Sequence, residues 1–322
     1  MNYNRKNYHE KTCFDFCCGI ISFGACESNS EILQKPEPEP GNQGNISKEE
    51  PFLRLMSFNI RNEAPEDTGA QTWEARKGPI LKMWRELNPD VIGIQESQDK
   101  LAKYLMENLR EYDCIREGQM IMYRRSRFHR INSGVFWLSE TPDIPESAGW
   151  DTRKPRKTIW IRLQDKETGR EFSFYNTHMD NKGVEARING AKVNVARMKE
   201  EAGERGAVVI VGDMNARYDN PTSAPALDVF DTWMKAARTT APQTDDINSF
   251  NGFTTSSLLK GVSSLDHIFY RNFTPLCFKT VNKNYGVPYI SDHYPICFDC
   301  KFIEKYLQPI ITQYFIDNKS EI

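Results

Sequence analysis

Five stretches of the chain, spread over more than 230 residues, join a strand-like apolar run to acidic, amide or imidazole side chains. Rigid strands that end in such groups present them to a common cleft. Three of the five histidines lie within two residues of an aspartate in these stretches. The pattern therefore predicts a sheet-based fold with one polar cleft. The stretches are 58–60, 94–96, 176–180, 212–215 and the pair 265–267 and 291–295.

From residue 52 onward, apolar periodicities typical of strands and of helices alternate along the chain. A turn at 166–169 closes a predicted hairpin, which argues against an all-parallel sheet. The sequence therefore predicts an α/β fold with two packed mixed β-sheets flanked by helices. Helices are predicted at 73–87, 98–110, 185–203 and 225–237, and strands at 52–60, 90–95, 120–124, 131–138, 158–164, 172–177, 207–211, 265–270 and 295–302.

The chain has 322 residues, which we expect to form one large domain at 51–303 with a tail at 304–322. A net charge of -2 argues against binding of nucleic acid through bulk electrostatics. The basic segment 124–130 has two interpretations, a contact for a phosphate backbone or a solvated turn between strands.

Residues 1–50 differ from the rest and are predicted to be a leader and linker. Basic residues, an apolar stretch and Cys26 follow in the order of a secretory signal that ends at a lipid-modified cysteine, but Asp15 interrupts the apolar part. A disordered tail is the alternative. The localisation is therefore open between a secreted or lipid-anchored protein, from residues 1–26, and a cytoplasmic one. No other segment is apolar enough to span a bilayer.

Individual side chains indicate the chemistry of the cleft. Glu96 follows an apolar strand, where a hard divalent cation would explain a carboxylate better than packing does, although a surface acid at a strand end is the alternative. Asp213 and Asn215 stand two apart, so on an extended backbone they point to one face and can reach one phosphate. A local Asx turn is the alternative there.

The five polar stretches, in their order along the chain, resemble those of the endonuclease/exonuclease/phosphatase superfamily. The deoxyribonuclease I-like fold of that superfamily is a four-layer α/β sandwich. The resemblance covers residues of about 52–302 and rests most on 212–215 and 291–293. It implies Mg²⁺ or Mn²⁺ as cofactor and a role for each polar side chain. Asn59, Glu96 and Asp292 would bind the metal, Asp213 would position or deprotonate water, Asn215 and His178 would contact the phosphate, and Asp266 would orient His293.

The sequence departs from the abasic-site repair branch of that superfamily at Arg61, where that branch usually has an acid. Without this acid the site has one metal ligand fewer, and Arg61 offers a guanidinium in its place. Arg61, Arg76 and Arg156 are therefore predicted to bind substrate as an anion-holding rim, with ordinary surface salt bridges as the alternative.

The predicted function is divalent-metal-dependent hydrolysis of a phosphodiester, with nucleases among the candidates. The alternative is a phosphomonoesterase for a sugar, inositol or nucleotide phosphate, which would share every catalytic residue. A catalytically silent binding module is disfavoured because the whole set of site residues is present. The expected partner is a phosphate-ester substrate, either a small molecule or nucleic acid, and the expected state is a monomer. Specificity lies in loops, so the substrate itself cannot be predicted.

Overall fold

A computed structural model of the chain describes residues 52–203, 205–254 and 260–303. The leader predicted at 1–50 and the tail predicted at 304–322 lie outside the described residues.

Twelve strands among the described residues form two sheets of six. Because apolar runs are longest in the central strands, those strands are buried on both faces. In chain order the strands are β1 (Leu53–Asn59), β2 (Val91–Gln95), β3 (Tyr112–Arg116), β4 (Met120–Arg124), β5 (Phe128–Trp137), β6 (Lys157–Asp165), β7 (Glu171–His178), β8 (Val208–Asp213), β9 (Lys235–Ala236), β10 (Asp266–Arg271), β11 (Phe273–Thr280) and β12 (Ile296–Phe302).

The first sheet has the strand order β11-β12-β1-β2-β4-β3, and the second has the order β5-β6-β7-β8-β10-β9. Each sheet combines parallel and antiparallel pairs. In the first sheet, β1 runs parallel to β2 and antiparallel to β12. In the second sheet, β7 runs parallel to β8, which is antiparallel to β10. The prediction of two mixed sheets is confirmed.

Helices cover the outer faces of both sheets and complete four layers. One apolar core fills the space between the sheets, where Val91 packs with Val211 and Phe174. A second core lies between the first sheet and α1 and α2, and a third between the second sheet and α3 and α4. The predicted four-layer α/β sandwich is confirmed. The helices are α1 (Trp73–Leu87), α2 (Asp99–Asn108), α3 (Val184–Ala202), α4 (Ala224–Asp231) and α5 (Ala237–Thr240).

The structure contains elements that the sequence-based prediction lacks or bounds differently. No strand is predicted at 112–116, where the structure has β3. The helix predicted at 225–237 ends at Asp231, because Lys235 and Ala236 pair with β10 instead and form β9. Strand β11 was not predicted, since Pro275 cannot donate a hydrogen bond in a sheet. The structure places Pro275 at a register shift in an outer strand of the first sheet, where a proline is tolerated.

Asn176 of β7 joins the two sheets through its buried side chain. Its Nδ2 donates to the carbonyl oxygens of Ile94 and Met120 in the first sheet, both at 3.0 Å. Its Oδ1 accepts a hydrogen bond from Gln95 Nε2 at 2.6 Å. At neighbouring Gly93 a Cβ atom would lie 2.5 Å from Val211 Cγ2, so the sheets approach closely at this point. The strand ends that carry the polar residues are thus held at a fixed separation.

Candidate active site

Both sheets deliver polar side chains to one edge of the sandwich. The first sheet contributes Asn59 at the end of β1 and Glu96 just after β2, and the second contributes His178, Asp213 and Asp266 at strand ends. Asp292 and His293 lie in the loop before β12. A cavity of about 560 Å³ lies at this edge. The predicted residues on its wall are Arg61, Glu96, Arg156, His178, Asp213, Asn215, Asp292 and His293.

His293 and Asp266 form the pair that the sequence predicted. His293 Nδ1 lies 2.7 Å from Asp266 Oδ2, and both side chains are buried. The Ser249 hydroxyl donates to the same carboxylate oxygen at 2.7 Å. Because Nδ1 is held by Asp266, the Nε2 atom of His293 is the one that faces Asp213, at 3.8 Å from its Oδ2.

Asp213 lies at the centre of the site. Its Oδ2 accepts a hydrogen bond from Asn59 Nδ2 at 3.1 Å and lies 3.5 Å from His178 Nε2. Burial raises the pKa of Asp213 above its ordinary value, although His293 and His178 oppose this effect. A raised pKa suits a carboxylate that accepts a proton from water near neutral pH.

The two histidines beside Asp213 are in different electrostatic environments. Burial lowers the pKa of His293, but the carboxylates of Asp266 and Asp213 outweigh burial and raise the pKa to about 10. Burial also lowers the pKa of His178, and there the nearby Asp213 does not reverse the effect. His293 is therefore the side chain that holds a positive charge at the centre of the site.

Asn215 reaches the cavity through the Asx turn that the sequence left open as the alternative to an extended backbone. The extended backbone assumed for residues 213–215 is wrong, because Asn215 has a left-handed φ of 48° after the end of β8. The Asn215 N–H donates to Asp213 Oδ1 at 2.9 Å, which is an Asx turn. Asp213 and Asn215 nevertheless line the same cavity. The Asx turn thus fixes Asp213 through Oδ1 and leaves Oδ2 to face the histidines.

Glu96 and Asp292 are suited to hold a divalent cation. Both line the cavity, and burial together with the charge of Glu96 raises the pKa of Asp292 above its ordinary value. Burial would also raise the pKa of Glu96, but His178 and the N–H groups of Asn62 and Asn59 lower it, so this carboxylate stays charged. His293 and Arg61 act against the raised pKa of Asp292, and Arg61 lies 3.5 Å from its carboxylate. Two carboxylates on one cavity wall are the oxygen ligands that a hard cation prefers.

Asn59 is placed differently from the predicted metal ligand. Its Nδ2 bridges Glu96 Oε1 and Asp213 Oδ2, both at 3.1 Å, while its Oδ1 accepts the Arg61 N–H at 3.1 Å. The amide oxygen therefore faces the backbone of Arg61, and Asn59 links the two carboxylates. In this conformation the side chains available to a cation are Glu96 and Asp292.

A second group of possible ligands is formed by Asp213, Asp266 and His293, whose ligand atoms lie within 4.8 Å of one another. Asp266 Oδ2, however, is already bound to His293 Nδ1 and to the Ser249 hydroxyl. A cation on His293 Nδ1 would have to break that buried pair. The oxygen-only pair of Glu96 and Asp292 is therefore the better candidate site for a magnesium-like ion.

The three arginines predicted to bind substrate have different locations. Arg61 lines the cavity and pairs with Asp67 at 3.1 Å and with Asp292 at 3.5 Å. Arg156 also lines the cavity, with its Nε 3.5 Å from Asp180 Oδ2. The prediction for Arg76 does not fit the structure, because Arg76 is fully buried away from the cavity wall.

Arg76 instead connects the β1–α1 loop to the β11–β12 loop through backbone carbonyl groups. Its guanidinium donates to the carbonyls of Gln71, Ile60, Ile290 and Arg61 at 2.7 to 3.0 Å. Burial lowers its pKa to about 10. The sequence could not show this role, because the carbonyl groups of residues 60 and 290 meet only in the folded protein.

Replacement of Arg76 by lysine distinguishes a role in substrate binding from a role in connecting the loops. A lysine cannot donate to four separated carbonyls, so we expect Arg76→Lys to lower the free energy of unfolding by about 2 kcal/mol in urea titrations. KM should stay within about twofold of wild type, since the side chain does not reach the cavity. Arg85→Lys, on the exposed face of the same helix, serves as control. A raised KM with unchanged stability would instead support substrate binding by Arg76.

Comparison with known proteins identifies the family. The model of the endonuclease/exonuclease/phosphatase family matches residues 56–293. The chain belongs to this family. Proteins of the endonuclease/exonuclease/phosphatase family are hydrolases of phosphate esters and typically use a divalent metal ion. The cavity described above thus lies within the region that the family shares.

Two solved structures and one viral protein are similar to this chain. An endonuclease/exonuclease/phosphatase from Bacteroides vulgatus is 28% identical, with a TM-score of 0.72, and the match covers 79% of this chain and 100% of that one. A mannosyl-6-phosphatase from Bacteroides thetaiotaomicron VPI-5482 is 29% identical, with a TM-score of 0.71, over 78% and 100% of the two chains. An uncharacterised protein of Acanthamoeba polyphaga mimivirus is 25% identical over 147 residues, which are 40% of this chain and 54% of that protein. The chain thus spans about half the length of this viral relative.

Among the described residues, no helix has the length and apolar character needed to cross a membrane.

Proposed function

We propose that this chain hydrolyses a phosphomonoester of a small polar molecule, with a divalent cation at Glu96 and Asp292. The observation that carries the proposal is the convergence of His178, Asp213 and the His293–Asp266 pair on the cavity that holds these two carboxylates. In the reaction, water attacks phosphorus, the bond to the substrate oxygen breaks, and an alcohol and inorganic phosphate are released.

Each side chain has a separate role in this reaction. Asp213, between His178 and His293, accepts the proton of the attacking water. His293 Nε2 and Asn215 donate hydrogen bonds to phosphoryl oxygens, whose negative charge increases in the transition state. His178 lies on the same wall, 3.5 Å from Asp213, and donates a proton to the leaving oxygen; the proton that Asp213 takes from water replaces it. A bound Mg²⁺ or Mn²⁺ supplies charge neutralisation for the phosphoryl group.

Two observations favour the monoester over the phosphodiester that the sequence analysis placed first. A 29% identical structure is a mannosyl-6-phosphatase, which acts on a sugar phosphate by its name. The basic segment 124–130 is engaged in ion pairs away from the cavity, with Arg125 2.8 Å from Asp113 and Arg127 2.8 Å from Asp90. These ion pairs favour the interpretation of the segment as a turn between strands. The main argument from the sequence for a nuclease is thereby removed.

The proposal is tested by comparing matched substrates. Release of nitrophenol from nitrophenyl phosphate and from bis-nitrophenyl phosphate is measured with Mg²⁺, with Mn²⁺ and with EDTA, and release of inorganic phosphate is measured from mannose 6-phosphate. We expect kcat/KM to be at least about tenfold higher for the monoester and to fall to background with EDTA. Faster hydrolysis of the diester would favour a phosphodiesterase, and activity unaffected by EDTA would exclude the metal.

A further inference from the structure

A second cavity of about 540 Å³ opens beside the active-site cavity. Asn181, Asn215, Phe250 and Leu265 line both cavities, so the two form one continuous cleft. The outer walls of the second cavity are the start of α3 and the turn at 217–223. From the sequence, the loop 218–223 is expected to contribute to specificity, but its shape cannot be predicted, and α3 reads as an ordinary amphipathic helix.

The second cavity carries positive charge. Lys182, Arg187 and Arg217 line it, and no aspartate or glutamate is among its described lining residues. Asp219 pairs with Arg217, with 3.4 Å between Nε and Oδ1, but does not itself line the cavity. A site for neutral sugar hydroxyls would need acceptors for their protons, whereas this wall offers mainly donors.

Arg187 is the most informative of these side chains. It is only 6% exposed, and its Nη1 donates to the backbone carbonyl of Asp180 at 3.1 Å. Its Nε is buried and has no hydrogen-bond partner among the described residues. The carboxylate of Asp180 is occupied elsewhere, by Thr152, by Arg156 and by the N–H groups of residues 182 and 183. Burial lowers the pKa of Arg187, and although Asp180 and Asp151 are near enough to oppose this effect, neither forms an ion pair with it among the described residues. A buried guanidinium without an ion pair is costly unless an anion joins it.

Two asparagines add neutral donors to the same wall. The Oδ1 atom of Asn220 accepts the N–H of Thr222 at 2.9 Å, and the Oδ1 atom of Asn248 accepts the N–H of Phe250 at 3.1 Å. With their oxygens engaged, the amide NH₂ groups remain for the cavity. Three cations and two amide donors around one space are the chemistry that recognises a phosphate.

We propose that the second cavity binds a second phosphate group of the substrate, so that the favoured substrate carries one scissile phosphate and one that is only held. The inference rests on the proposed phosphoesterase function and narrows its substrate class. The second phosphate can belong to a sugar bisphosphate or to a neighbouring nucleotide, and the two sources share the same recognition chemistry.

Two matched substrate pairs test the inference. One pair is glucose 1,6-bisphosphate and glucose 6-phosphate, and the other is the 5′-phosphorylated thymidine dinucleotide and thymidine 5′-phosphate, in which the scissile 5′-phosphate is the same. For at least one pair, we expect the second phosphate to raise kcat/KM by about 10- to 100-fold with Mg²⁺. The pair with the larger gain identifies the source. Equal kcat/KM within both pairs would overturn the inference.

Variants connect this gain to the second cavity. Lys182→Met and Arg187→Met should each remove most of the gain in kcat/KM that the second phosphate gives. For the singly phosphorylated member, kcat/KM should stay within about twofold of the wild-type value. Lys192→Met removes the same charge from an exposed position of α3 and should keep the gain. Lys182 is exposed, so its variant stays informative even where Arg187→Met lowers stability. A loss that is equal for both members of a pair would contradict the assignment.

A binding measurement separates this inference from the catalytic proposal. In full-length Asp213→Asn protein with Mg²⁺, calorimetry compares the Kd of glucose 1,6-bisphosphate with that of glucose 6-phosphate, and does the same for the dinucleotide pair. Tighter binding of a doubly phosphorylated member, lost in Arg187→Met, supports the second cavity even without hydrolysis. Hydrolysis of the singly phosphorylated members with no difference in Kd within either pair leaves the phosphoesterase intact and overturns the inference.

Discussion

Asp213→Asn is expected to lower kcat by about 100- to 1,000-fold, and His293→Gln by a similar factor. Asparagine keeps the size of Asp213 but cannot accept the proton of water. Glutamine at 293 cannot present a charged Nε2 atom to the phosphoryl oxygens while its other end is held by Asp266. The measurement is kcat from phosphate release at saturating substrate and Mg²⁺, using the monoester that the wild-type protein hydrolyses fastest.

Control measurements show whether the losses of kcat come from the catalytic step or from a change in folding. His129→Gln makes the same change at an exposed position of β5 and should leave kcat within about twofold. Circular dichroism and the urea midpoint should show that each variant is folded. Because Asp213 and His293 act as one unit, the double variant should lose little more than the single ones. Either single variant with more than a tenth of the wild-type kcat would contradict the assigned role.

Asn176→Leu is expected to lower the free energy of unfolding by about 3 kcal/mol, the largest stability effect among the changes considered. Leucine fills a similar volume but leaves the carbonyls of Ile94 and Met120 and the Nε2 atom of Gln95 with one partner fewer in a buried position. For a domain of this size, the melting temperature should fall by roughly 6–12 °C.

The same variant should also reduce catalysis, because Asn176 holds together the two sheets that supply the site. Asn132→Leu, at an exposed position of β5, makes the identical substitution and should change stability by less than about 0.5 kcal/mol. Urea unfolding of both variants, followed by tryptophan fluorescence, gives the comparison. An Asn176→Leu protein as stable as wild type would show that the connection between the sheets contributes nothing measurable.

The sequence predicted what is encoded locally. Apolar runs located the central strands, Thr72 marked the start of α1, and Glu96 and Asp213 at strand ends line the cavity. These predictions succeed because a buried strand or a helix cap is specified by neighbouring residues. The pairing of His293 with Asp266 was implied by the family resemblance and not by neighbouring residues.

Features that depend on long-range contacts were beyond the sequence. Arg76 was assigned to the substrate rim because nothing local shows that its partners are carbonyl groups from residues 60 and 290. Ser249 and Arg187 were not considered, since a serine in a loop and an arginine in an amphipathic helix are ordinary on their own. Their significance comes from Asp266 and from the second cavity, which only the folded chain creates.

The position of β1 between β2 and β12 affects how the protein is made. The Ser291 hydroxyl donates to the Asn59 carbonyl at 2.7 Å across 232 residues, and Leu53 pairs with Cys300. On a ribosome, β1 emerges roughly 10 to 50 s before β12 at ordinary elongation rates. During that interval one edge of the buried strand β1 has no partner strand. Because β12 covers this edge of β1, the sheet that carries Asn59 is completed only after β12 has been synthesised.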